Sequence, residues 1–229
     1  MSNVNDTESC FAWFTSTPLP GAFRATLSKA SQWNPGDRIP VAFLGGAPEL
    51  QEKVKSVAEE WVAPGMANLD FLFVLDPAQA LIRISFIPGG SWSAIGTECR
   101  RISAPEATMN FGWLTPSSAE GEIRRVVLHE FGHALSLLHE HQNPIGGIKW
   151  NWEQVYKDLS GPPHNWSKEQ IDHNLFEPAR VGETNHTAFD PSSIMLYPIP
   201  AKWTVDGFSV GLNNDLSDTD RSFIREQYR

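Results

Sequence analysis

The twelve residues His129-Glu130-Phe131-Gly132-His133-Ala134-Leu135-Ser136-Leu137-Leu138-His139-Glu140 constrain this chain more than any other stretch. On an α-helix, positions i and i+4 lie one above the other on one face. His129 and His133 can therefore face a single metal ion. Glu130 follows the first of them, beside such an ion, where a general base takes a proton from a metal-activated water. His139 does not share that face. At about 100° and 1.5 Å per residue, a continuous helix turns it away and carries it roughly 9 Å beyond His133. It completes a three-histidine site only if the helix ends near Ser136 and the chain turns back. The surroundings are apolar (Val126, Val127, Leu128, Leu135, Leu137, Leu138), so the helix is expected to be buried. Three imidazoles and two carboxylates are costly there without a partner, and a metal removes that cost.

The segment resembles the metzincin signature H-E-x-x-H-x-x-G-x-x-H of zinc metallopeptidases. His129, His133 and His139 match its three ligands, and Glu130 matches its general base. Glu140 resembles the residue that follows the third ligand in the astacin-like branch. Ser193-Ile194-Met195-Leu196-Tyr197 resembles the Met-turn of that branch, S-x-M-x-Y. The resemblance implies that Met195 underlies the metal and that the Tyr197 hydroxyl can approach it. One residue departs from the pattern: Ser136 stands where the family has Gly, at a point that favours positive φ. The resemblance further implies a zinc endopeptidase with one Zn2+ per chain and a protein or peptide substrate. Its fold would be α+β, a twisted mixed sheet with two long helices above a loop-rich lower subdomain, the active-site cleft between them. It also suggests an extracellular setting, although residues 1–20 lack the basic and unbroken apolar regions of a signal peptide.

The 229 residues, 41% of them hydrophobic, suffice for one catalytic domain. It divides into a tail or pro-like segment (1–35), an upper subdomain (36–139) and a lower one (140–229). A formal charge of -9 argues against a nucleic-acid partner and against an anionic membrane surface. No apolar run reaches the length of a membrane span, and a monomer is expected. The nine Trp read as core packing, with one or two lining a cleft.

Along the chain, Phe23–Gln32 suits a short helix and Asn34–Asp37 a turn. Arg38–Leu44, Asp70–Leu75 and Leu81–Ile87 read as strands. Between the first two, Leu50, Val54, Val57 and Trp61 give Pro48–Val62 helical spacing, hence a β-α-β unit and a partly parallel sheet. Pro88–Ala104 reads as loop and Ala107–Leu114 as a further strand. The resemblance makes Met109, Asn110, Phe111, Gly112 and Trp113 the edge that pairs with bound peptide; otherwise it is an ordinary edge. Trp152–Leu159, a capped helix from Ser167 through Leu175 and a capped helix over Ser217–Tyr228 complete the chain, with Thr184–Pro191 as loop.

Alternatives stay open at this level. The third ligand could be His141, or a carboxylate such as Glu153 as in the glutamate-ligand zincins. The site could belong to a metal-stabilised binding module without activity. His164, His173 and His186 are isolated among polar residues and receive no role. Cys10 and Cys99 either pair, or stay separate thiols, or Cys10 keeps the enzyme latent as a metal-bound thiolate. The last is drawn from relatives' pro-segments, whose motif is missing from Glu8–Ala12.

Overall fold

The structure is a computed structural model and describes residues 10–13, 27–143, 145, 147–162, 164–177, 184, 185 and 187–229. The expected loose segment Met1–Glu8, the first four residues of the expected helix at Phe23–Gln32 and His186 lie outside these. The end of that helix is instead a short strand and a 3-10 turn, Lys29–Ser31. In chain order the strands are β1 (Cys10–Trp13), β2 (Leu27–Ser28), β3 (Arg38–Phe43), β4 (Asp70–Phe73), β5 (Ile82–Ser85), β6 (Ser91–Ala94), β7 (Met109–Asn110) and β8 (Thr184–Asn185). The helices are α1 (Pro48–Ala58), α2 (Glu120–Ala134), α3 (Trp152–Ser160), α4 (Lys168–Ile171) and α5 (Asp218–Gln227).

The order β1-β6-β7-β5-β3-β4 makes a six-stranded mixed sheet, the α+β architecture expected. β3 and β4 pair in parallel with α1 between them, the β-α-β unit that the strand–helix–strand pattern predicts. Pro48 opens α1, and Leu50, Val54 and Ala58 sink its inner face into the core. Trp61 follows in a 3-10 turn, fully buried, and its Nε1–H donates to Leu128 O of α2 at 3.0 Å. One core cluster joins the sheet (Ile39, Val41, Ile84), α1, α2, Met195 and α5. A smaller cluster, Val155, Leu159, Ile171 and Leu175, holds α3 against α4 in the lower half.

Two expectations are corrected here. Pro88–Ala104 is not all loop: it holds β6 and a 3-10 turn, Gly96–Arg101. β6 is the antiparallel strand, and it lies outside β7. β7 is hydrogen-bonded on both sides, to β5 and to β6, so Met109–Trp113 offers no free edge to a peptide. The outer side of β6 pairs in parallel with β1, from Cys10 opposite Ser91 to Trp13 opposite Ala94. Cys99, beyond the end of β6, is a free thiol buried in the core, so the Cys10–Cys99 bridge is not formed. Burial pushes that thiol up to about 12.

Candidate metal centre

α2 brings the first two imidazoles together. Glu120 and Glu122 in its first turn favour the positive end of the helix dipole. From Val126 to Ala134 every residue is buried. His129 and His133, one turn apart, have ring centroids 4.7 Å apart.

The helix then stops between His133 and His139. Ser136 N–H donates to His133 O at 2.8 Å and Leu137 N–H to Gly132 O at 2.9 Å, the two bonds of a Schellman motif. Ser136 takes the left-handed φ of 72° that the motif demands. Its Oγ–H offsets the strain by donating to Ser31 O at 2.6 Å. Gly96 makes room for that hydroxyl, since a Cβ there would collide with Ser136 Oγ and Ser31 O. Other carbonyls at the helix end are also taken. Trp33 Nε1–H donates to Ala134 O at 2.8 Å, and Tyr228 Oη–H to Leu135 O at 2.9 Å.

The turned chain delivers His139, its ring 4.6 Å from His133 and 5.3 Å from His129 between centroids. One ring nitrogen from each of the three lies within 4.8 Å of the others. Glu153 is exposed on α3 and no part of this group, and His141 is bonded elsewhere through Nε2.

The tautomers decide whether a metal fits. His129 Nδ1 lies 2.8 Å from Ile194 O, and His133 Nδ1 2.8 Å from Leu137 O. A carbonyl only accepts, so both Nδ1 atoms carry the proton and both Nε2 atoms present lone pairs. His129 Nε2 is buried without a hydrogen bond, and His133 Nε2 lies 3.1 Å from His139 Nε2. Burial pulls all three imidazoles below their usual range, His133 to about 4, so they are neutral at pH 7. Converging neutral imidazole nitrogens are a donor set that zinc accepts, and carbonyl partners orient two of them, His129 and His133. The three histidines could hold a metal ion.

The turn Ser193–Tyr197 packs against α2 beside the three histidines. A Cβ on Gly132 would collide with Met195 Sδ, so Met195 packs where α2 has no side chain. Met195 O accepts from Glu140 N–H at 3.0 Å, which ties the turn to the residue after His139. Asp220 anchors the turn in its place. Its carboxylate accepts from Ser193 Oγ–H at 2.7 Å, Ile194 N–H at 2.8 Å and Ser217 N–H at 2.9 Å. From the sequence, Asp220 reads only as part of a helix cap; the spacing gives no sign of its second task. Glu140 Oε1 accepts from Asn143 Nδ2 and Asp190 N–H, both at 3.0 Å, and burial raises its carboxyl to about 7. Glu130, beside His129 on α2, is fully buried. Tyr197 brings its ring to 4.2 Å from His139 and 5.7 Å from His129.

A scan of protein-family models and a search of curated proteins found no match. Among solved structures the chain is similar to myroilysin. One myroilysin structure is 42% identical at a TM-score of 0.86, matching 89% of this chain and 98% of that one. A second, a crystal structure, is 38% identical at 0.70, over 99% of this chain and 93% of that one.

Proposed function

The chain belongs to the myroilysin family, and from that premise we propose that it is a zinc-dependent endopeptidase of the metzincin type, close to the astacin-like branch. One observation carries the reading: three buried neutral imidazoles converge beside Glu130, on a helix that breaks where the third of them needs it.

Zinc held by His129, His133 and His139 would supply a Lewis acid with an open position, lowering the pKa of a water towards neutrality and polarising a carbonyl. The chain's own residues do the rest. Glu130 takes the proton of the attacking water and passes it to the leaving amine. The Tyr197 hydroxyl donates to the substrate oxygen as it gains charge. Met195 and the Ile194 carbonyl keep the first ligand in register.

The substrate enters as an extended strand on the outer side of β6, where main-chain bonds are independent of side-chain identity. β1 covers that side. Residues 1–26, β1 among them, accordingly act as a pro-like segment, and productive binding requires β1 to leave. Removing residues 1–26 should raise hydrolysis. Cys10→Ala should do the same only if the Cys10 thiolate, and not the strand, is the block.

The test is metal analysis of the purified protein beside casein cleavage, with and without chelator, on the chain freed of residues 1–26. About one zinc per chain and chelator-sensitive cleavage are expected. Zinc without cleavage would make this a metal-stabilised binding module.

A further inference from the structure

His141 is a fourth buried imidazole at this centre, 6% exposed, and it takes no part in the ligand set. Its Nε2 lies 2.7 Å from Asn174 O. The carbonyl accepts, so Nε2 carries the proton and Nδ1 is a bare lone pair, buried without a hydrogen bond. A phenyl ring would fill the same volume without that unpaired acceptor, which is costly to bury. The imidazole therefore answers to its Nε2–H.

The bond goes to a helix end. α4 runs into a π-helical turn, Asp172–Phe176, closed by Glu177 N–H to Asp172 O at 2.9 Å. Pro178, next in the sequence, has no N–H to give, so His173 O needs a donor from elsewhere. Gln142 Nε2–H supplies it at 3.0 Å, and His141 Nε2–H donates to the neighbouring Asn174 O. The residues just past His139 are thereby latched to the π-helical turn. The flat faces of His141 do a second thing. Its ring lies 5.1 Å from His139 at 17° and 5.2 Å from Tyr197 at 25°. Trp150 meets the same ring in a T-shaped contact at 6.4 Å and 86°.

We propose that His141 is a positioning residue of the hydrolytic site. Its Nε2–H fastens the loop that carries His139 to the π-helical turn, and its ring face sets Tyr197 beside the metal. This rests on the peptidase reading above, and two variants separate its parts. His141→Phe keeps a flat ring and loses the latch; His141→Gln keeps an N–H donor and loses the ring. Zinc release from the loaded protein to a chromogenic chelator reads the latch and needs no turnover. His141→Phe should release zinc about three- to tenfold faster, as losing one hydrogen bond implies, while His141→Gln stays near the parent. On a peptide substrate, in the chain freed of residues 1–26, His141→Gln should lower kcat about fivefold with KM within about twofold. That drop should vanish in a Tyr197→Phe background, because the ring acts through Tyr197. Parental zinc release in folded His141→Phe overturns the latch. Drops in kcat that multiply between His141→Gln and Tyr197→Phe overturn the second role. If one variant fails to fold, the other still decides its own part. If the zinc-loaded chain freed of residues 1–26 cleaves nothing, the peptidase reading falls while the zinc-release comparison still decides the latch.

Discussion

His129 and His133 are placed differently from His139 and Tyr197. The first pair stands on one face of a helix packed into the larger core, and helical repeat sets the distance between them. The second pair stands on chain with little regular structure. There, single hydrogen bonds set the geometry: Ser136 to Ser31, Glu140 to Met195, and Asp220 to the Met-turn. A repeat distributes its stability over many contacts, so losing one changes little. A chain held by a few named bonds is exposed to the loss of any of them. Substitutions on α2 should therefore act on chemistry with the fold intact, and substitutions around the Met-turn should disturb fold and metal together.

The largest effect expected tests the helix side. Glu130→Ala should keep its zinc and its melting temperature and lose about 10²–10⁴ in turnover, since the general-base role proposed for it is not a ligand's. Loss of zinc in that variant would place Glu130 among the structural supports. Tyr197→Phe comes next, with kcat down about 10²–10³ and KM little changed, as expected for a donor that acts on developing charge. Unchanged turnover would reduce Tyr197 to packing between the two core clusters.

Asp220→Ala tests the other side. It leaves Ser193, Ile194 and Ser217 donors without their acceptor and should cost about 3 kcal/mol in denaturant unfolding. Zinc affinity should fall with it, because Ile194 O orients His129. Acid probes the same region. Burial holds His133 and His141 near 4, below the usual 6.5, so the unfolded chain takes up protons that the folded chain refuses. The metal-free protein should be at full stability above about pH 6.5 and lose it as the pH falls towards 4, read by thermal melts across that window. Melts independent of pH over this range would show that these rings are not buried as described. The smallest effect is at the helix end. Ser136→Ala keeps the left-handed φ and loses the bond to Ser31, about 1 kcal/mol, whereas Ser136→Gly trades the lost bond against relieved strain and should be close to neutral.

The same division governs what could be read in advance. α1, α2, α3 and α5 follow from apolar spacing and caps, and both capping boxes, at Ser167 and Ser217, form as written. The helix break is legible because His139 is out of phase with His133. β6 is not legible: Ser91-Trp92-Ser93-Ala94 has small residues on its buried side, which carry no strand signal beside Gly89-Gly90. With β6 unseen, β7 passes for an edge. The compensation of Ser136 by Gly96 and the span of Asp220 across two elements join residues 40 and 27 positions apart, which no local pattern records.

The central claim is that a broken helix brings His139 into the same site as His129 and His133. Zinc affinity of His139→Ala, by competition with a chelator against the parent, tests it most directly. The three-histidine site predicts a loss beyond about a hundredfold, the upper end of what losing an outer-shell partner costs, with the fold retained by circular dichroism. Affinity equal to the parent's would mean that another side chain completes the site, and that the turn at Ser136 serves the fold alone.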